Sequence, residues 1–287
     1  MYKRQAQYAD FAVWQRLALG EEQDPASPLA RQTAFWRGAL EGLPERIELP
    51  ADRPRPAVAS HRGAGVEVTI GRGTHQALAR LAHSSDATVF MVLQAALAVV
   101  LAGSGAGRDI PLGTPVLGRG DEALDDLVGF FVNMVVLRTD VSGDPTFREL
   151  LGRVRDRDLE AYAHQDVPFD RIVEALSPRR SSAHHPLFQV ALSFGGPFED
   201  VRLPGLRGSA ALVPTSVAKF DLGLYVDELP GSDRSPQGIT GTLEYATDLF
   251  DRDTAAGLAE RLVGLLDRVA TDPDLRVDLV IEEGAPR

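Results

Sequence analysis

Residues Thr88 to Leu101, TVFMVLQAALAVVL, constrain the fold more than any other stretch. At helical spacing this segment is apolar on nearly every side, so it has to be a buried central helix covered all round by other elements. It is too short to cross a bilayer, which takes about 20 residues. The glycine run Gly103-Ser104-Gly105-Ala106-Gly107 ends it. That run follows a helix rather than a strand, and no Lys-Ser/Thr pair closes it, so it does not read as a phosphate loop. A chain that encloses such a helix needs several layers, and the flanking patterns supply them.

At 287 residues the length allows one or two domains. The 44% hydrophobic and 25% charged content is ordinary for a globular body. A net charge of −11 argues against nonspecific affinity for nucleic acid or an anionic membrane. There is no cysteine, hence no disulfide framework and no thiol nucleophile. Met1 to Asp10 is polar and lacks the apolar stretch of a signal peptide. A cytoplasmic protein is expected. No G-x-S-x-G elbow anchors a hydrolase triad, and no H-E-x-x-H or comparable spacing suggests a metal. The six histidines stand as single structural or surface residues, except the pair His184-His185, which invites a general-base reading.

Taken in order, Phe11, Trp14 and Leu17 sit at helical spacing, and a second helix follows through Leu29, Phe35, Trp36 and Leu40. The prolines between Pro44 and Pro56 force an extended connector, either a linker or a loop lying on the surface. Val66 to Ile70 alternates as a strand with one buried face. Thr74 to His83 reads as a helix, and Ile110 to Val116 as a strand. Asp144-Pro145-Thr146 starts a helix whose apolar face is Phe147, Leu150, Leu151 and Val154. The charged residues Arg153, Arg155, Asp156, Arg157 and Asp158 are expected on its solvated face. Asp166 is expected to cap the next helix, with Pro168 in its first turn. Leu187 to Phe194 reads as a strand. Phe220 to Val226 and Gly241 to Tyr245 form a hairpin around a long Pro/Gly-rich loop. Asp251 opens a final amphipathic helix. The mixture is α/β, with sheet faces covered by helices.

The stretch Leu127 to Arg138, LVGFFVNMVVLR, is read as one strand because its aromatic and β-branched residues suit a pleated surface. Asn133 interrupts it. A buried amide without partners costs about 1–3 kcal/mol. Asn133 is therefore either a satisfied core amide that ties down a neighbouring loop or a polar group lining a substrate passage.

Four segments carry a resemblance: YADFAVWQR (Tyr8–Arg16), VGFFVNMVVLR (Val128–Arg138), HQDVPF (His164–Phe169) and HPLFQV (His185–Val190). Lys219-Phe220-Asp221-Leu222 and LEYATDLFD (Leu243–Asp251) extend it. In this order they resemble the condensation domains of nonribosomal peptide synthetases, over essentially the whole chain. The resemblance implies a chloramphenicol-acetyltransferase-like fold of two lobes with a tunnel between them. Carrier proteins would deliver thioesters there on phosphopantetheine arms, with no cofactor held by the domain itself. The acceptor amine attacks the donor thioester, a reaction that depends on positioning and on a nearby imidazole. In the family that imidazole belongs to a His-His-x-x-x-Asp-Gly motif of the N-terminal lobe, which this sequence does not contain. His184-His185 lacks the Asp-Gly, so no catalytic residue is assigned. The resemblance thus implies a C-terminal lobe, a half-domain over residues 1–287: entry helices and connector to 56, a core over 57–272 with a latch-like hairpin near 217–247, and the start of an exit linker from 273. Its partners would be the N-terminal lobe, carrier proteins and an adjacent adenylation domain, with neither nucleic acid nor membrane. Asn133, Phe131, Met134, Gln165 and Asp166 are the residues expected to line or support the tunnel. Met134 departs from the family's threonine. The hairpin would reach across to the other lobe, leaving an unpaired strand edge without it. A non-catalytic module of the same fold that recruits partners is the alternative; the intact Phe-Val-Asn stretch argues against the epimerisation relatives.

Overall fold

A computed structural model describes residues 6–179, 181–195, 202–203, 205–207, 215–230 and 235–284. In chain order the elements begin with α1 (Tyr8–Leu19), α2 (Pro28–Ala39), β1 (Gly63–Ile70), α3 (Arg72–Ser84), α4 (Val89–Gly103) and β2 (Asp109–Val116). There follow β3 (Asn133–Asp140), α5 (Phe147–Tyr162), α6 (Phe169–Leu176) and β4 (Val190–Gly195). The chain continues with the short pair β5 (Arg202–Leu203) and β6 (Leu206–Arg207), then β7 (Leu222–Pro230), β8 (Pro236–Ala246), α7 (Arg252–Thr271) and α8 (Val277–Gly284). Six strands form one mixed sheet in the order β1-β8-β7-β4-β2-β3. The β2–β4 and β4–β7 pairs are parallel and the others antiparallel.

The apolar helix predicted from the sequence is α4, buried from Met91 to Gly103 and capped by the Thr88 hydroxyl, which accepts from the Met91 amide. It packs with α3, α5 and α7 against one face of the sheet, where Val66, Val68, Leu112, Leu192, Leu224 and Leu243 point inward. Side chains alternate across a strand, so Gly113 points to the other face. There a Cβ would fall 2.0 Å from the Phe188 ring, and the absence of a side chain lets that ring approach β2 closely. Phe188, α2 and α6 cover that second face at the β2–β3 end, around Trp36, Val136 and Ile172. Toward β1 the second face carries the exposed Glu67, Thr69 and Thr242, so among the described residues helices cover both faces at the β2–β3 end.

Several expectations are corrected. The stretch from Leu127 is not one strand: β3 starts at Asn133, and Val128 and Phe130 are exposed. Its first half is held by side chains far away in sequence, which override β propensity. In α5, Thr146 is the N-cap and exchanges hydrogen bonds with Glu149, while Pro145 lies outside the helix. Thr146→Ala is expected to cost about 1 kcal/mol, read as a lower urea midpoint at unchanged slope. Asp158 is not on the solvated face: it lies on the inward stripe of α5, 1% exposed. The strand after the HPLF segment begins at Val190 rather than Leu187. In the hairpin, β8 is paired with β1 and β7 with β4, so neither is an edge strand; β1 and β3 are the edges. Residues from 273, expected to begin a linker, lead into α8, whose Val277 is buried and whose Asp278 pairs with Arg108. The proline connector lies on the body: the Ile47 amide donates to Gln189 Oε1 at 3.0 Å, and the Asp52 amide to the Leu249 carbonyl at 2.9 Å.

Candidate functional site

The predicted site residues gather where β3 begins, beside the loop that joins α5 to α6. Asn133 sits at the first position of β3 and spends its amide on that loop. Its Nδ2 donates to the carbonyls of Gln165 at 2.9 Å and Val167 at 2.7 Å, and its Oδ1 accepts from the Phe169 amide at 2.9 Å. Both protons and one lone pair are therefore engaged by backbone. This geometry is that of a loop-fixing amide.

A second amide, which the sequence reading missed, clamps the loop from the opposite side. Gln32 of α2 donates through Nε2 to Asp166 Oδ2 at 3.0 Å and accepts through Oε1 from the Asp166 and Val167 amides at 3.2 and 3.3 Å. Asp166 therefore accepts from Gln32 and does not cap α6, whose N-cap is Pro168 with no side-chain hydrogen bond. Trp36 Nε1 donates to the His164 carbonyl at 2.9 Å, and Phe35 stacks on the His164 ring at 3.8 Å. Gln165 contributes its backbone carbonyl. The loop is thus rigidly tied to two elements distant in sequence.

Phe131 lies 7% exposed in an aromatic group with Tyr8 and Phe11 of α1, at ring distances of 5.1 and 4.7 Å. The Arg119 guanidinium sits 4.1 Å over the Phe131 ring, and it donates to the carbonyls of Leu124 and Leu127. Tyr8 Oη donates to the Phe130 carbonyl at 2.7 Å. These contacts hold α1 and the segment before β3 together. Met134 packs, half-buried, on the apolar cluster around Trp36 and Phe188.

Of the histidine pair, His184 is partly exposed with its Nδ1 3.2 Å from the His185 carbonyl, and His185 is taken up by packing. His185 is wedged among Phe188, Phe220 and Phe169, at ring distances of 4.3, 5.1 and 5.5 Å. Burial holds its pKa below the usual imidazole value, opposed by the carbonyls of Pro186 and Phe188. Its Nδ1 lies 2.7 Å from the Pro186 carbonyl and donates to it. Gln189, 1% exposed, donates to the His185 carbonyl at 3.2 Å while accepting from Ile47. Like Asn133, it is a lone amide in an apolar run, a signal that could have singled it out. Nearby, Arg55 and Asp221 make a bidentate pair, with Nη1 to Oδ1 at 2.8 Å, and Arg55 also donates to the Ala183 carbonyl at 3.1 Å. In this arrangement these residues hold backbone positions.

A mixed sheet layered with helices in this order, together with the clamped loop beside β3, defines a chloramphenicol-acetyltransferase-like body. The condensation-domain family model matches residues 1–280, and the chain belongs to that family. It is 54% identical over 275 residues to the probable non-canonical nonribosomal peptide synthetase CymA of Salinispora arenicola, covering 96% of this chain and 4% of that protein. It is 50% identical to a dimodular nonribosomal peptide synthase of Bacillus subtilis, covering 94% of this chain and 11% of the relative. The chain thus spans a small part of the curated relatives it matches. Among solved structures, the X-domain from teicoplanin biosynthesis superposes with a TM-score of 0.89 at 39% identity, over 95% of this chain and 61% of that one. The complex of the X-domain and OxyB gives 0.88 over 60% of its chain.

Proposed function

We propose that this chain is the C-terminal lobe of a nonribosomal peptide synthetase condensation domain, one wall of a tunnel that an N-terminal lobe carrying the His-His-x-x-x-Asp-Gly motif completes. The observation that carries this reading is the exposure of large apolar side chains on α1 and on the segment that Tyr8 ties to α1. On α1, Val13 and Trp14 are each 61% exposed and Leu17 77%; on the segment before β3, Phe130 is 77% exposed. Large apolar side chains left in water on two elements that are tied together point to an interface. The clamped loop at Gln165–Val167 is bonded to Asn133, two residues from Phe131, and this supports reading these residues and Met134 as supports of the tunnel wall.

In the completed domain, the amine of an acceptor held on one phosphopantetheine arm attacks the thioester carbonyl of the donor on another. A C–N bond forms, the C–S bond breaks, and the proton lost by the amine leaves with the thiol. The imidazole of the N-terminal lobe would serve this proton transfer, and the present chain would hold the loops in register. Carrier proteins and an adenylation domain would be its neighbours, in the cytoplasm. Supplied with aminoacyl carrier proteins, the chain alone is expected to give no peptide, and the chain with a separately made N-terminal lobe to give product. Trp14→Glu together with Phe130→Glu is expected to weaken lobe association at least tenfold without unfolding the chain. Peptide formed by the chain alone would overturn the reading.

The likeness to X-domains, one of them in complex with OxyB, favours a second reading as a module that recruits a partner enzyme. Pull-down with carrier proteins against an oxygenase separates the two.

A further inference from the structure

Three polar side chains meet where the two apolar clusters adjoin: Gln94 of α4, Thr139 of β3 and Asp158 of α5, each 1% exposed. Gln94 Nε2 donates to Asp158 Oδ1 at 3.0 Å and to Thr139 Oγ1 at 3.2 Å. This uses both amide protons. Two oxygens of the knot, Asp158 Oδ2 and Gln94 Oε1, have no hydrogen-bond donor among the described residues. An ionised carboxylate would leave both orphaned and bury a charge, which a protein interior strongly disfavours. One proton on Oδ2 changes this, because an Oδ2–H can donate to Gln94 Oε1. Carboxylic acid and primary amide then form a two-point cyclic pair.

We propose that Asp158 is held as a carboxylic acid in such a pair with Gln94, and that this buried proton is a switch on the clamped loop: its loss opens the pair and loosens the last turn of α5, which leads directly into residues 163–169. Among the described residues no charged partner offsets ionisation. α4 carries no ionisable side chain. On β3, Arg138 and Asp140 flank Thr139 and alternate to the opposite face, where Arg138 pairs with Asp109 and Asp140 accepts from Ser142. On α5, Arg155 pairs with Asp156 and donates to the Ser85 carbonyl, and Tyr162 is the titratable neighbour one turn on. Burial raises the Asp158 pKa to about 7, with only the Gln94 hydrogen bond opposing it. The Tyr162 phenol is likewise pushed up, by burial and then by the charge of Asp158.

The folded value lies above the unfolded one. The docked state is therefore at full strength below about pH 4, weakens as the pH rises, and stops changing above about 7. Amide hydrogen exchange of the 287-residue chain, corrected for intrinsic rates, reads the effect at residues 161–169, including the Phe169 amide held by Asn133. Protection there is expected to fall by close to tenfold per pH unit between about 5.5 and 6.5 and to level off above about 7. In Asp158→Asn a permanent Nδ2 donor replaces the proton, and protection is expected to be independent of pH over that range. A flat profile in the wild-type chain, or the same slope in Asp158→Asn, would overturn the proposal. The 13C shift of the Asp158 carboxyl in the wild-type chain needs no variant. A midpoint near the ordinary carboxylate value of about 4 would equally overturn it.

Discussion

Asp221→Ala is expected to remove about 3–5 kcal/mol of stability, the cost of stranding a buried guanidinium. The Arg55 and Asp221 side chains are only 14% and 8% exposed, and their bidentate pair joins the proline connector to the first residue before β7. The Asp221 amide also donates to the Gln189 carbonyl at 2.9 Å, and its carbonyl accepts from Ala246 at 2.9 Å, so the junction of connector, β4 and β8 passes through this one position. Among the described residues, loss of the carboxylate leaves Arg55 with the Ala183 carbonyl as its hydrogen-bond partner. Urea unfolding of the variant checks this, and a melting temperature lower by roughly 10 °C is the corresponding thermal result. Because the penalty is mostly that of an orphaned charge, Arg55→Met combined with Asp221→Leu is expected to cost less than Asp221→Ala alone. A double variant as unstable as the sum of both singles would show that the pair acts through something other than charge burial.

Asn133→Ala is expected to cost about 2–4 kcal/mol, since three backbone groups of the 165–169 segment lose their partner at once. The effect should be local first: faster exchange of the Phe169 amide and earlier proteolysis between His164 and Phe169, ahead of global unfolding. Asn133→Asp is the sharper comparison. Its carboxylate still accepts from Phe169 but faces the carbonyls of Gln165 and Val167, so it is expected to be no better than alanine at neutral pH. Acid should restore part of its stability, because a protonated carboxyl donates to one of those carbonyls. An Asn133→Asp chain as stable as wild type at pH 7 would exclude the loop-fixing role.

The sequence made the regular elements legible where one face repeats strongly. The α4 helix was legible because it is apolar all round, and the β7–β8 hairpin because two alternating runs flank a Pro/Gly loop. Asn133 could be singled out as an amide in an apolar run, but not its partners, which lie 32 to 36 residues away. Gln32 gave no signal at all: in a helix of mixed alanine and polar residues, a clamping glutamine looks like any surface one. Asp158 was misplaced because the run of charges from Arg153 to Asp158 hides the fact that it falls in register with Phe147, Leu150, Leu151 and Val154.

What the amino-acid order determined alone is most of the helices and strands, the buried middle helix and the motifs that mark the condensation family. The tertiary structure decided where β3 begins, that β7 and β8 lie inside the sheet rather than at its edge, and that Asp158 is buried against Gln94. The physical reason is that periodicity records how much of a side is hidden from water. It does not record which distant group hides it, and polar side chains in a core are placed by those distant partners.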